Sequence, residues 1–285
     1  MPAKTAARPQ TGPRDQAVSP TTVPPFGTSL VRGLWSVTSV PGTLGWTFLS
    51  LLATWAVFVA LGRAPTPPIL SALMSLSPAN LLIDLPAAFS AGQGVAILGA
   101  LAALAVVRAL TFGVLIQLIH GRLEDGRPDL RRAVRRLPAA MSGLFTVYLI
   151  EVAAMYALLS VATQFLGQLA PLAVVAALYF LVYVPVVAVL DGGSLQTMFR
   201  RGFRAARLPG TRHLTLVMVY FLVFFYAASV SPFGFATPAT PSPLVWAFGL
   251  VATLLHATVL GAVVYRWLAI RDFVTGDPAP RRRPT

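Results

Sequence analysis

The chain has 285 residues, of which 56% are hydrophobic and only 11% are charged. An ordinary soluble domain carries about 25% charged residues, so this composition, with a mean hydropathy of +0.74, excludes a cytosolic enzyme. The 22 Lys and Arg residues outnumber nine Asp and Glu and give a net charge of +13. The lack of cysteine excludes disulfides and thiolate metal sites, and three histidines leave little for a His-built metal centre. We therefore expect no metal and no cofactor.

Six apolar stretches approach the ~20 residues that a membrane-spanning helix needs. They are Leu44–Leu61, Val95–Ile119, Ala139–Thr163, Leu172–Leu190, His213–Ser231 and Leu244–Leu268. They predict an all-α integral membrane protein with six transmembrane helices in one membrane domain, residues 26–271. Residues 1–25 and 272–285 are rich in proline and polar side chains, and their composition predicts two disordered tails.

The positive charges lie almost entirely on one side of the predicted membrane domain. Of the 22 Lys and Arg residues, 20 fall before the first span, in the connections after spans two and four, and at the C-terminal end from Arg266 onward. Lys and Arg in short connections mark the cytoplasmic side, so we predict that both termini are cytoplasmic. Because the charge follows this topology, it does not indicate a nucleic-acid partner.

Three segments that precede the odd-numbered spans share a pattern. They are Phe26–Thr43, Pro128–Ala140 and Ser194–Thr211, and each is predicted to be a short amphipathic helix that ends at a Val-Pro or Leu-Pro pair. The predicted apolar faces are Phe26, Leu30, Leu34 and Val37 in the first, Leu130, Val134 and Leu137 in the second, and Leu195, Phe199, Gly202, Phe203 and Ala206 in the third. The faces opposite are polar or basic, with Arg32, Ser36 and Ser39 in the first.

A basic amphipathic helix can lie in the headgroup plane of a membrane with its apolar face down. The predicted headgroup-contacting residues are Arg131, Arg132, Arg135, Arg136, Arg200, Arg201, Arg204 and Arg207. Each arginine near an anionic leaflet contributes roughly 1 kcal/mol to binding. The alternative is that these segments are basic only because inner-face connections generally are. The shared pattern also suggests three repeated units of an amphipathic helix plus a hairpin.

The fourth span and the segment after it carry a resemblance. Pro185-Val-Val-Ala-Val-Leu190-Asp191-Gly192-Gly193-Ser194 runs into Phe199-Arg200-Arg201-Gly202-Phe203-Arg204. This stretch resembles bacterial six-helix inner-membrane proteins similar to the membrane domain fused to some glycerophosphodiester phosphodiesterases, and related families of uncharacterised function. The resemblance implies an architecture and a bacterial cytoplasmic (inner) membrane. The chain contains no phosphodiesterase domain, so that activity is not carried over.

Three ionisable residues fall about 16–18 Å from the cytoplasmic ends of their spans, near the middle of the ~30 Å hydrocarbon core. They are Arg108, Glu151 and His256. Charge is costly at that depth, so we expect Arg108 and Glu151 to face the bundle interior as a pair. The pair is either a structural pin between two helices or a ligand or proton site. His256 is either a packing residue or a third member of the cluster. Pro185 is predicted to kink the fourth span.

No motif for hydrolysis, nucleotide binding or metalloprotease chemistry occurs in the chain. We therefore expect a non-enzymatic membrane protein, a lipid-associated scaffold or accessory subunit in membrane homeostasis. The alternative is a permease or flippase-like transporter of an anionic or lipid-like substrate. The expected partners are membrane lipids, above all anionic ones, together with a protein partner or a second copy of the chain.

Overall fold

A computed structural model describes residues 24–60, 94–166, 170–208, 213–218 and 243–276. Within these ranges all regular secondary structure is α-helical, which confirms the predicted all-α fold for the described residues. The helices are α1 (Phe26–Thr38), α2 (Pro41–Ala60), α3 (Gly94–Glu124), α4 (Leu130–Leu166), α5 (Ala170–Leu181), α6 (Val184–Leu190), α7 (Leu195–Ala206) and α8 (Pro243–Thr275). A short helical segment also covers residues 213–218.

Two stretches of the described helices are long and apolar enough to cross a membrane. They are Ala105–Glu124 in α3 and Thr253–Thr275 in α8. Helices α2 and α4 contain the first and third predicted spans, while α5 and α6 together cover most of the fourth. Most of the fifth predicted span lies outside the described residues. Apolar helices of spanning length are thus present, and the number of six spans stays a prediction.

Helix α3 lies at the centre of the bundle, in contact with α1, α2, α4, α6 and α8. The main core is built from buried aliphatic and aromatic side chains of these helices, among them Leu115 and Ile119 of α3. A second, smaller cluster joins α3 to α4 through Val114, Ala133 and Leu137. The packing is tight there, because a Cβ atom at Gly113 would overlap the Leu137 side chain.

Helix α1 packs against α8 through small residues, and this is the most extensive helix pair of the structure. A Cβ atom on Gly33 would overlap the carbonyl oxygen of Thr258, and one on Gly261 would lie 2.8 Å from the Cα of Gly33. Ser36 is fully buried in this contact, and its hydroxyl donates to the carbonyl oxygen of Gly33 at 2.7 Å. Small residues allow two helix backbones to approach this closely.

The predicted apolar face of α1 is therefore wrong in part. Leu34 is exposed, together with Val31 and Trp35, whereas Ser36, predicted on the polar side, is buried against α8. Hydrophobicity alone ranked Leu34 above Ser36 as a buried residue. Close approach to Gly261 requires small side chains instead, so packing geometry overrides the hydrophobic pattern.

The second amphipathic segment is not a separate helix. It is the first part of α4, a helix of 37 residues that is about 55 Å long and continues through Pro138. Leu137 and Leu144, on either side of the proline, both pack on α3 at Gly113, and this continuous packing offsets the hydrogen bond that proline removes. The predicted apolar face is also displaced, because Leu130 and Val134 are each 46% exposed while Ala133 and Leu137 are buried.

The third amphipathic segment is a separate helix, α7, as the sequence predicts. Its first turn is capped by Ser194, whose hydroxyl accepts a hydrogen bond from the backbone N–H of Thr197. Gly202 lies against Val184 of α6, where an added Cβ atom would be 2.6 Å from the Val184 Cγ2 atom. Of the predicted apolar face, Gly202 and Ala206 are buried, whereas Leu195 is exposed.

The fourth predicted span is broken ahead of Pro185. Helix α5 ends at Leu181, Val182 and Tyr183 form a turn, and α6 begins at Val184 with Pro185 in its first turn. Proline is well suited to this position, where its missing N–H has no helical partner to lose. The break turns the predicted kink into a junction between two helices.

The ends of the chain lie mostly outside the described residues, which exclude 1–23 and 277–285. Pro24 and Pro25 belong to the predicted N-terminal tail, yet both contact the helices: the Arg266 guanidinium donates to the carbonyl oxygen of Pro24, and the Ser29 hydroxyl to that of Pro25. Helix α8 runs to Thr275, four residues past the predicted end of the membrane domain.

Candidate functional site

Arg108 of α3 is 9% exposed and is surrounded by aromatic rings. Its guanidinium carbon lies 4.8 Å from the ring centroid of Tyr148 on α4 and 5.7 Å from that of Phe112. The Phe112 ring in turn contacts the ring of His256 on α8, edge to face, with centroids 4.9 Å apart. Three helices thus meet at this cation, and the aromatic faces stabilise its charge.

The three predicted members of the intramembrane cluster lie in one region, but not as an ion pair. Arg108 is close enough to Glu151 and His256 to interact electrostatically with both. Among the described residues, no carboxylate lies within 4.0 Å of the Arg108 guanidinium, and its Nε atom has no hydrogen-bond partner.

Three basic parts of the sequence, the connection from α3 to α4, helix α7 and the end of α8, converge at the opposite ends of these same helices. Arg122 of α3 donates from Nε to the hydroxyl of Ser39 at 3.1 Å, and its guanidinium lies 4.1 Å from the Trp35 ring centroid. Arg204 of α7 donates to the carbonyl oxygen of Val274 on α8 at 3.1 Å. The end of α3, the start of α4, α7 and the end of α8 therefore share one end of the bundle, which we call the basic end.

The predicted headgroup-contacting arginines divide into two groups at the basic end. Four of them make contacts within the protein: Arg132 pairs with Asp125 at 3.0 Å, Arg201 lies 4.0 Å from Asp191, Arg204 bonds to α8 and Arg207 lies over the Phe180 ring. The others are Arg131, Arg135, Arg136 and Arg200. These four are exposed, and none has an ion-pair partner within the described part of the chain. We call them the free arginines.

A shallow depression lies beside the free arginines, between the end of α3 and the start of α4. It is lined by Arg127, Arg132 and Arg136, and by the two acids Asp125 and Asp129. The Asp129 carboxylate also accepts a hydrogen bond from the backbone N–H of Arg132 at 3.1 Å, so it caps α4. The depression is thus a mixed-charge surface whose acids already have partners.

Asp191 holds three elements together at the basic end. It follows α6 directly, and its side chain is only 3% exposed. The Nη2 atom of Arg271 on α8 lies 2.7 Å from the Asp191 Oδ1 atom as an ion pair, and Arg201 of α7 lies 4.0 Å from Oδ2. Burial raises the pKa of the Asp191 carboxyl above its ordinary value, and the two guanidinium groups partly offset this rise.

A second buried cation, Arg266 of α8, has no such partner. It is 0% exposed, and its Nε and Nη1 atoms have no hydrogen-bond acceptor, while Nη2 donates to the Pro24 carbonyl oxygen at 3.3 Å. Tyr183, also 0% exposed, interacts electrostatically with Arg266, and its hydroxyl has no hydrogen-bond partner. The His213 ring lies 5.0 Å from the Tyr183 ring and also interacts electrostatically with Arg266.

Sequence reasoning missed this group of residues. Arg266 was counted only as a charge that marks the cytoplasmic side, although it follows Thr258 and Ala262 at helical spacing on the face that packs beneath α1. That spacing was the signal that could have identified a buried arginine. No pattern in the sequence brings Tyr183 and His213 to it, because they come from two other parts of the chain.

A comparison of the chain with models of protein families, with curated proteins and with solved structures finds no match. The family resemblance of the stretch around Asp191 therefore stays a prediction from the residues that carry it.

Proposed function

We propose that this protein is a non-enzymatic component of a bacterial cytoplasmic membrane, a scaffold or accessory subunit that associates with anionic lipids and serves membrane homeostasis. It has six spans, and both termini and the basic end face the cytoplasm. The observation that carries the proposal is the convergence of three separate basic segments at one end of the bundle: the connection from α3 to α4, helix α7 and the end of α8. The arginines are thereby concentrated where the inner leaflet presents its phosphates.

The free arginines are the part of this surface available to lipid. Arg131, Arg135 and Arg136 lie along one side of α4, and Arg200 lies on α7. Exposed arginines without carboxylate partners keep their full charge for an anionic headgroup, and each contributes roughly 1 kcal/mol near such a surface. The aromatic and aliphatic residues exposed on α1, Trp35, Leu34 and Val31, supply apolar area that a bilayer can cover.

The surroundings of Arg108 favour the scaffold over a carrier. A carrier needs a substrate path to its binding site near the bilayer midplane, whereas Arg108 is 9% exposed and has its guanidinium against the Tyr148 and Phe112 rings. This packing stabilises the cation without a substrate. It therefore supports the structural alternative for this part of the predicted cluster.

The lipid association is tested by neutralising the four free arginines together, as R131Q/R135Q/R136Q/R200Q. Native mass spectrometry of the protein extracted from membranes in mild detergent measures the phosphatidylglycerol that co-purifies. We expect the wild type to retain several anionic lipids and the quadruple variant to lose most of them. The matched control, R131K/R135K/R136K/R200K, keeps the charge and should retain them. Equal lipid retention in the Gln variant and the wild type would contradict the proposal.

The orientation is tested independently, since the chain has no cysteine and a single introduced thiol gives an unambiguous signal. Ser194→Cys lies at the start of α7, and Thr66→Cys lies in the predicted outer connection. A membrane-impermeant maleimide should label Thr66→Cys in intact spheroplasts, and Ser194→Cys only after lysis. Labelling of Ser194→Cys in intact spheroplasts would overturn the proposed orientation.

The second candidate is a permease or flippase-like transporter, and the break ahead of Pro185 is the observation that favours it. Broken helices are a common feature of transporter sites, and Val182 and Tyr183 interrupt the fourth span at such a break. Reconstituted into liposomes with a fluorescent phospholipid, a carrier would move the lipid between leaflets, and Arg108→Gln would abolish the movement. No movement above that of empty liposomes would exclude lipid transport and leave the scaffold.

A further inference from the structure

Arg266 carries a positive charge that nothing in the described part of the chain compensates. No carboxylate lies within 4.0 Å of it, and the nearest buried acid at the basic end, Asp191, is already engaged by Arg271 and Arg201. A cation that is removed from water without a counter-ion costs several kcal/mol. An Arg side chain also cannot discharge itself by losing a proton, since its pKa in water is above about 12. The charge therefore calls for an anion.

The groups around Arg266 are arranged as donors without acceptors. Its Nε and Nη1 atoms are buried with no acceptor, and the hydroxyl of Tyr183 is buried with no partner. Such unfilled polar groups are rare in protein interiors, where most buried donors are paired. Three donors around one fixed positive charge fit an anion that offers several acceptor oxygens. A phosphate group has this chemistry, and arginine is the residue that most often recognises it.

The side chains of this site are held in place from several directions. The Tyr183 ring lies 5.0 Å from the His213 ring and 6.3 Å from the Trp267 ring. His213 donates from Nε2 to the carbonyl oxygen of Tyr179 at 2.7 Å, which fixes its ring. The close contact of Gly33 with α8 positions Pro24, whose carbonyl oxygen accepts from Arg266 Nη2. Fixed donors lose little entropy when a ligand binds.

We propose that Arg266 and Tyr183 form a buried site for one phosphate group at the basic end, between the start of α1, the break ahead of α6 and α8. The phosphate belongs either to a lipid headgroup or to a free phosphate ion. The site is separate from the free arginines, which lie on α4 and α7, and it does not depend on the proposed scaffold function. It holds one anion inside the protein rather than several at the surface.

The test uses the full-length protein purified in a nonionic detergent without phosphate. Native mass spectrometry and thermal unfolding are recorded after addition of inorganic phosphate in one arm, and of phosphatidylglycerol or diacylglycerol in the other. We expect one tightly bound phosphate-bearing ligand per chain and a higher unfolding temperature. A response to inorganic phosphate alone assigns the site to the free ion. A response to phosphatidylglycerol, but not to diacylglycerol, assigns it to a headgroup.

Four variants separate this site from the free arginines. Arg266→Met should abolish the single tight event, and Tyr183→Phe should weaken it about tenfold, the usual effect of losing a hydrogen bond to a charged group. Arg200→Met, which removes an exposed arginine, should retain it. The quadruple variant R131Q/R135Q/R136Q/R200Q should also retain it, even where surface lipid is lost, so the two proposals can fail separately.

Two results would overturn the proposal. One is tight binding of the ligand to Arg266→Met with wild-type affinity. The other is that the wild-type protein binds neither phosphate nor phosphatidylglycerol and is no more stable than Arg266→Met. In that case Arg266 is a buried charge without a counter-ion, which only destabilises the fold. Should Arg266→Met fail to fold, Arg266→Lys and Tyr183→Phe supply the same comparison: unchanged affinity in both would equally overturn the site.

Discussion

Two Asp-Gly pairs, Asp125-Gly126 and Asp191-Gly192, have the same local structure and different surroundings. Asp125 follows α3 and Asp191 follows the short helix α6, and each glycine has a left-handed backbone, with φ of 69° at Gly126 and 62° at Gly192. The side chain of Asp125 is 31% exposed and pairs with Arg132, seven residues later in the chain. The side chain of Asp191 is 3% exposed and pairs with Arg271 of a distant helix.

The difference shows that a shared turn does not imply a shared role. The glycine ends the preceding helix in both places, because a residue without a Cβ atom adopts positive φ at little cost. The aspartate acts locally in the first pair, at the start of α4. In the second pair it joins α6, α7 and α8, since the end of α8 covers it. The Asp-Gly pair that recurs in the sequence therefore forms two structurally different junctions.

The largest expected effect comes from removing Arg271, the partner of Asp191, and it is compared with removing Arg132, the partner of Asp125. Arg271→Ala leaves the Asp191 carboxylate buried with only Arg201 nearby, and it should cost about 2 kcal/mol of unfolding free energy. This is below the ~3–5 kcal/mol of a fully buried broken pair, because Arg271 itself is 36% exposed and Arg201 remains. Arg132→Ala breaks an exposed pair and should cost less than about 1 kcal/mol.

Thermal unfolding of both variants in detergent measures this contrast. Arg271→Lys serves as the control that keeps the charge, and it should recover part of the loss. If Arg132→Ala were as destabilising as Arg271→Ala, the two junctions would be energetically equivalent and the comparison above would be wrong.

An intermediate and equal effect is expected at the two glycines. An alanine forced to positive φ costs roughly 1 kcal/mol, and nothing lies within 4 Å of a Cβ atom at either position. Gly126→Ala and Gly192→Ala should therefore lower the unfolding temperature by similar amounts. Gly45→Ala, inside α2 with open space around it, is the control and should be neutral or slightly stabilising. A much larger loss at one of the turns would show that their backbones are not equivalent.

The smallest expected effect is the contribution of Asp191 to the pH dependence of stability. Its pKa is raised in the folded protein, so the folded state binds the proton more tightly than the unfolded chain does. The stabilisation from that proton is complete below the ordinary pKa of an aspartate, about 4. It is lost as pH rises through the raised value. Stability measured from about pH 4 to pH 7 should therefore fall more for the wild type than for Asp191→Asn.

The matched control for this experiment is the same substitution at the exposed turn, Asp125→Asn, measured against the wild type under the same conditions. A parallel pH response of wild type and Asp191→Asn would show that burial of Asp191 does not govern its titration. A response in the opposite direction would show that Arg271 and Arg201 outweigh burial.

Much of the fold could be predicted from the sequence, because apolar length and the absence of polar surface leave few alternatives to packed helices. The helical character of α2, α3, α4 and α8 follows from runs of apolar residues, and the separate helix α7 follows from its amphipathic pattern. The continuity of α4 through Pro138 could not be predicted. It depends on α3, which packs against the helix on both sides of the proline.

The candidate sites could likewise be predicted from the sequence only in part. Arg108 was identifiable as an unusual residue, because a charge inside an apolar run is costly wherever it points. Its aromatic neighbours were not, since Tyr148 and Phe112 read as ordinary core residues. Asp191 was visible as part of a motif, but its burial was not, because its partner Arg271 is 80 residues away in the sequence.

Composition and local spacing are enough to predict a helical, apolar chain that is strongly basic in four segments. Which arginines stay exposed and which become buried depends instead on how the helices pack. Arg200 and Arg266 are equally basic in the sequence, yet one is exposed and the other is covered by α1. The physical reason is that burial depends on the neighbouring helices, and the small residues Gly33 and Gly261 let α1 lie close enough to α8 to cover Arg266.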